Sequence, residues 1–180
     1  LMFHAARLSI TRALAGLPLL PAGKEIPETL RHEAGAFVTL LLARELRGCI
    51  GFIEPVASIY DTVCEAAARA ATEDPRFDPV DPAEAAKLAI EISVLSPMRR
   101  VSDVREIEIG THGLLVQHGR HRGLLLPQVA AEYGWDRDTL IRQTMHKAGL
   151  TPTQWNHPDV RLYVFSADVY HQDAPSQRQP

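Results

Sequence analysis

The stretch AFVTLLLARELRGCIGFIE, residues 36–54, constrains the fold more than any other part of the chain. From Ala36 to Leu42 it is apolar at odd and even positions alike, Thr39 excepted, so a strand here has no face to give to water. It has to run in the middle of a sheet. A break at Ala43 to Glu45 turns the chain, and a second strand runs on until Pro55 stops it. That second strand carries LRGCIG, Leu46 to Gly51, which places an arginine, two glycines and one of only two cysteines within six residues.

Alternate residues of a strand share a face, so Arg47, Cys49 and Gly51 point one way and Leu46, Gly48 and Ile50 the other. Arg47 and Cys49 are then about 7 Å apart along the strand. A guanidinium at that range favours the thiolate, which is the reactive form. Gly48 and Gly51 are tolerated where a ligand or another backbone comes close. One reading is a charged thiol facing a cleft, with open backbone around it. The other is a small packed cysteine, an arginine paired to a carboxylate, and glycines that serve a bulge.

The remaining segments place these strands in a domain. The start, LMFHAARLSITRALAG (1–16), reads as an amphipathic helix with Phe3, Leu8, Ile10 and Leu14 on an uneven apolar face, and 17–35 as an irregular crossing segment with three prolines. Ser58, with Asp61 three residues on, opens an alanine-rich helix that ends before Pro75. Asp81 and Pro82 start a short helix. LAIEISVL, 88–95, alternates as a strand, with Glu91 and Ser93 opposite Ile90 and Ile92. Residues 106–126 read as three short strands, IEIG, GLLVQHG and HRGLLL, with glycine-marked turns. Pro127 starts a short helix that Gly134 stops. Asp136 caps the next, with Trp135 stapled onto Leu140, and Gly149 ends it. RLYVFSADVYH, 161–171, reads as one strand, and a polar tail follows. Hairpins alternating with single helices point to an α+β fold with largely antiparallel sheet.

Composition sets outer bounds. The chain has 180 residues, 46% hydrophobic and 23% charged, which suits one sizeable globular domain or two small ones sharing a core. A net charge of -3 supplies no basic excess for phosphate contacts, so nucleic acid is disfavoured as a partner. No apolar run approaches the roughly 20 residues that span a bilayer, and the start lacks the features of a secretory signal. Cys49 and Cys64 are too few for a disulfide scaffold and match no zinc spacing, so a reducing cytoplasm is expected. Cys64 falls mid-helix among alanines and reads as packing. His118 and His121 straddle a hairpin turn without an evident third ligand, so no metal site is expected. His112, between Gly110 and Gly113, is a turn residue and also a candidate general base. Glu54 and Glu91 are strand-end carboxylates with the same two readings.

These stretches together resemble the AMMECR-type family. LRGCIG is its hallmark and stands here without change. GAFVTLLL, EDPRFDPV, IEISVLSP, GTHGLLV, GLLLPQVAAEYGWD, KAGL and LYVF occur in the family's order, from about residue 3 to 171. The resemblance implies two unequal subdomains, each around antiparallel sheet, with helices on the larger sheet and the cysteine motif near the space between them. We place the larger at 1–98, the smaller at 99–172 and a disordered tail at 173–180, with strand 161–171 assignable to either sheet. Members have no established reaction. Similar domains occur beside Memo-like and radical S-adenosylmethionine domains, which implies those proteins as partners in a modification pathway. Two departures matter: the LLARE turn lacks glycine, and QTMHKAGL has Met145 and His146 where many relatives carry a cysteine nearby.

Two functions follow. In the first, the chain is an enzyme: Cys49 is nucleophile or covalent carrier, Arg47 activates it or binds an anion, and His112 or a carboxylate moves protons. Gly48, Gly51, Glu54, Glu91 and Gln128 are the candidate binding residues around it. In the second, LRGCIG is a rigid docking edge of a non-catalytic module, and Cys49 only packs. The sequence names no cofactor for either.

Overall fold

The structure is a computed structural model that describes residues 1–19 and 26–174. Part of the crossing segment (20–25) and most of the polar tail (175–180) lie outside the described residues. The chain divides into two compact units, Leu1–Leu95 with Asp168–Pro180, and Ser96–Ala167.

The first unit is built on a four-stranded sheet of β1 (Ala36–Leu42), β2 (Glu45–Phe52), β3 (Ala89–Leu95) and β8 (Ala167–Gln172), in the order β2-β1-β3-β8. The all-apolar β1 is internal, antiparallel to β2 on one side and β3 on the other. Ala36, Val38 and Leu40 are fully buried, together with Ile90 and Ile92 of β3. They pack under α1 (Met2–Leu14) and α2 (Ile59–Thr72). Both helices meet through small residues: Ala6 of α1 and Ala66, Ala67, Ala70 and Ala71 of α2 are all buried. In α1 the buried stripe is Ala5, Ala6, Ser9 and Ile10, while Leu8 stays only half-buried. Close helix packing selects the small side chains over the larger ones that hydropathy picks out.

Caps and turns obey local chemistry. Ser58 accepts from the Asp61 N–H at 3.1 Å to start α2. Asp81 and Glu84 form a capping box on α3 (Pro82–Ala85). The β1–β2 turn uses Ala43 at φ 52° and Arg44 at φ 71°, between the paired Leu42 and Glu45. Positive φ at both central residues is the arrangement of a type I′ hairpin turn, normally held by Asn-Gly. The glycine-free turn therefore keeps the tight geometry and carries the strain.

The second unit has the sheet order β4-β7-β5-β6, from β4 (Arg99–Arg100), β5 (Gly113–His118), β6 (His121–Leu125) and β7 (Arg161–Phe165). Its core joins Leu114, Val116 and Val164 to Ala130 of α4 (Pro127–Glu132) and to Leu140, Ile141 and Met145 of α5 (Arg137–Lys147). Asp136 caps α5 through the Thr139 N–H at 2.8 Å, and Trp135 packs against the same core.

Two strand expectations change. IEIG does not form a strand: β6 and β7 already occupy both edges of β5, and Glu106 is bound into a capping box with Asp103. Ile107 instead buries its side chain beyond a one-turn 3-10 helix. The single strand expected over 161–171 is two, broken at Ser166, so β7 joins the second sheet and β8 the first.

Gly48 is where the first unit is tightest. A Cβ placed there falls 2.1 Å from the Ala70 carbonyl oxygen of α2. Gly48→Ala should lower the unfolding free energy by about 2 kcal/mol or more, as overpacking against backbone cannot be relieved by a rotamer change. Urea unfolding checks this, and an unchanged midpoint would contradict the close approach. Conversely, Arg44→Gly should stabilise by about 1 kcal/mol by removing one left-handed non-glycine residue. The same titration should show a raised midpoint with an unchanged slope.

Candidate functional site

Cys49 lies in the middle of β2, an edge strand of the first sheet. Alternation sends Gly48 toward α2 and Cys49 to the opposite face, where it is half-buried. Thr39 of β1 is its cross-strand partner, and the Thr39 hydroxyl donates to the Cys49 sulfur at 3.2 Å. On its other side Thr39 pairs with Glu91 of β3. Glu91 Oε2 in turn lies 3.3 Å from Nδ1 of His171 on β8. Cys49, Thr39, Glu91 and His171 thus form one polar row across all four strands, on the face away from the helices.

The outer edge of β2 at Cys49 is closed by the segment that follows α2. The Cys49 N–H donates to Asp74 Oδ2 at 2.8 Å. Arg76 grips the same carboxylate, with Nε to Oδ1 at 3.0 Å and Nη2 to Oδ2 at 2.7 Å, and Nη2 also reaches the Cys49 carbonyl at 3.5 Å. The Asp74 side chain is 2% exposed and that of Arg76 54%. The Arg76 guanidinium, aided by the backbone N–H groups of Cys49 and Arg76, holds the Asp74 carboxyl well below the usual carboxylate range despite burial. Arg76 is raised in return, first by Asp74 and more weakly by the charge of Cys49.

Arg47 is engaged elsewhere. It sits at a register shift in the β1–β2 ladder, between the pairs Leu40↔Gly48 and Leu41↔Leu46. Its Nη2 bonds Glu84 Oε2 at 2.9 Å, and Nη1 donates to the Asp78 carbonyl at 2.8 Å. Glu84 also accepts the Asp81 N–H, and these two contacts, the Asp81 one first, lower its pKa. Arg47 therefore ties the bulge to the start of α3, and the cation beside Cys49 is Arg76.

The glycines are filled by the protein's own atoms. Gly48 faces Ala70, and a Cβ at Gly51 would fall 2.3 Å from the Phe37 ring. Glu54 is exposed just past β2. His112 and Gln128 belong to the second unit. His112 Nδ1 accepts the Glu108 N–H at 3.1 Å and closes the turn ahead of β5; Gln128 is in the first turn of α4. Cys64 is buried beside Ser9 and Tyr60, and burial pushes its thiol up. His118 meets His157 and Asp159 as a set of potential metal donors.

Sequence reasoning passed over Thr39, Asp74, Arg76 and His171. Thr39 had a signal, being the single polar residue in AFVTLLL. EDPRFD had one too: an aspartate whose side chain bonds the N–H two residues on, here Arg76 at 3.1 Å, is a common turn device. His171 had none, because only the strand break at Ser166 brings it beside Glu91.

Asp74→Asn should cost about 2–3 kcal/mol at pH 7, since the Cys49 N–H and Arg76 lose a charged acceptor. A carboxyl with a lowered folded-state pKa gives its stabilisation in full above its unfolded value, about 3.9, and loses it as pH falls toward the folded value. The gap between wild type and variant should hold from pH 7 to about 4.5 and shrink below about pH 4. Urea unfolding across that range reads it, and a gap unchanged at pH 2.5 would contradict the assignment.

Among solved structures, an uncharacterised protein from Pyrococcus horikoshii superposes with a TM-score of 0.90 at 36% identity, over 99% of this chain and 92% of that one. Among curated proteins, one from Methanothermobacter thermautotrophicus is 43% identical over 174 residues, covering 93% of this chain and 91% of its own length. One from Methanopyrus kandleri is 44% identical over 170 residues, covering 87% and 82%. The AMMECR1 family profile matches residues 3–170. With the hallmark hexapeptide on β2 and the match running through both units, this chain belongs to the AMMECR1 family.

Proposed function

We propose that this chain is a cysteine-dependent enzyme with Cys49 as its nucleophile or covalent carrier. The observation that supports it is the polar row on the first sheet: a half-buried thiol bonded by Thr39, with the Glu91–His171 pair on the same face. Thr39 and Arg76 compensate charge on the sulfur. Glu91 and His171 carry protons. Cys49 and Glu91 flank β1, two strand spacings or about 9–10 Å apart, which leaves room for a small substrate lying across Thr39. Arg47 holds the strand in place. His112 stays a candidate from the sequence; its Nδ1 is engaged by the Glu108 N–H. Gln128 stays a candidate for binding. No helix among the described residues is long and apolar enough to cross a membrane. A reducing cytoplasm, which keeps Cys49 and Cys64 as thiols, fits this chemistry. Memo-like and radical S-adenosylmethionine proteins are the partners that the family's domain associations suggest.

A second reading is a non-catalytic binding or adaptor module that uses the LRGCIG surface. Leu46, 41% exposed at the start of the motif, favours it, as do glycines that leave no open backbone.

Cysteine alkylation in a Cys64→Ser background separates the two. For the enzyme, Cys49 labels readily at pH 6–7, Arg76→Gln slows labelling by about three- to tenfold, and Arg47→Gln changes it much less. Labelling only on unfolding, or a rate indifferent to Arg76, would favour the binding module.

A further inference from the structure

His118 is the last residue of β5, and His157 and Asp159 precede β7. The two strands are antiparallel neighbours, with Gln117 opposite Arg161. That register brings the end of β5 to the approach of β7, so His118 converges with His157 and Asp159 from about forty positions away in sequence. One donor atom from each lies within 4.8 Å of the other two. The imidazoles of His118 and His157 meet edge to face, with centroids 5.8 Å apart. His157 Nδ1 lies 3.7 Å from Asp159 Oδ2 and accepts the Asp159 N–H at 3.3 Å. The Val160 N–H donates to the His157 carbonyl at 2.9 Å, which folds 157–160 into a tight turn. Beside the trio is a recess of about 470 Å³ lined by Gln117, His118, Gly119, Pro158, Asp159 and Arg161.

We infer that His118, His157 and Asp159 form a binding site for a divalent first-row transition-metal ion. Two imidazoles and a carboxylate suit Zn²⁺, Fe²⁺, Ni²⁺ or Cu²⁺, whereas Mg²⁺ and Ca²⁺ take oxygen ligands. Bonds of about 2.0–2.2 Å bring donors to about 3–3.5 Å from one another, so the trio closes by roughly 1 Å around an ion. The movement falls on His157 and Asp159, which are exposed and outside any strand, while β5 holds His118. The recess admits water to the remaining coordination positions. Arg161 lines the same recess, and its charge opposes a cation; Asp159 offsets it. His121 pairs with His118 across the hairpin but does not belong to the trio. A bound ion fastens 157–160 to the end of β5 and raises the stability of the folded state by mass action.

Zn²⁺ titrated into the chelator-treated full chain tests this by calorimetry. One ion should bind per chain with a dissociation constant of about 1 μM or tighter. His118→Ala and Asp159→Asn should each weaken it by more than about 100-fold, beyond what loss of an outer-shell partner costs. His121→Ala should leave it within about threefold. Unfolding curves of the metal-free variants should match wild type, since the side chains removed are outside the core. Independently of any variant, Zn²⁺ should shift the ring-proton resonances of two of the eight histidines. Binding weaker than about 1 mM, binding that survives His118→Ala, equal sensitivity to His121→Ala, or shifts confined to other histidines would each overturn the site.

Discussion

The contact between Gly48 and the Ala70 carbonyl is the one the first unit is arranged around. A strand that meets a helix backbone this closely has to present hydrogen at that position, and the next residue then faces the other way. This is why a reactive residue type sits next to a packing residue within LRGCIG. Gly48 seats α2, and Cys49 is thereby turned out onto the face that carries Thr39, Glu91 and His171. The same helix ends at Thr72, and two residues later Asp74 returns to the edge of β2 to take the Cys49 N–H. Packing on one face of the strand and hydrogen bonding at its edge fix the cysteine without involving its sulfur.

Closing the edge at Cys49 also answers a problem of sheet chemistry. An edge strand offers unpaired N–H and C=O groups to any other chain. At Cys49 both groups point outward, and Asp74 and Arg76 take them. The two arginines near the motif divide the labour. Arg47 fills the bulge and ties it to the capping carboxylate of α3, whereas strand alternation alone made it the thiol's activating neighbour. Arg76 comes from a separate segment and spans from a buried carboxylate to solvent.

Much of this architecture was legible in the sequence because it depends on local chemistry. The all-apolar β1 had to be internal, Ser58 and Asp81 had to cap, and Pro127 and Gly134 had to bound α4. What was not legible depends on neighbours in space. IEIG has the composition of a strand, but the Asp103–Glu106 capping box winds the chain leading into it as a 3-10 turn, and both sides of β5 are already paired. RLYVFSADVYH alternates without interruption, yet its two halves serve different sheets. A bulge was one of two readings of LRGCIG, but its place at Arg47 is not visible in the residue order, and it changes which cation accompanies Cys49. Gly48 and Gly51 read equally well as room for a ligand or room for the protein's own atoms, and only the positions of Ala70 and Phe37 decide between them.

The asymmetry of the Asp74–Arg76 pair bears most directly on chemistry. A fully buried ion pair loses to desolvation much of what it gains by attraction, and both partners are then committed to each other. Here the desolvation falls on the carboxylate, at 2% exposure, while the guanidinium is 54% exposed. Arg76 is therefore oriented from the inside, by three hydrogen bonds to Asp74 that include its own N–H, and remains open to charge from the outside. Such a cation answers to an anionic group, whether a thiolate or a ligand, without reorganising, because its geometry is set before that group arrives. A surface arginine held only by solvent would first have to be ordered, at a cost in side-chain entropy of about 1.5–2 kcal/mol. The buried aspartate thus does for Arg76 what Gly48 does for Cys49: it fixes position in advance, from the side that chemistry does not use.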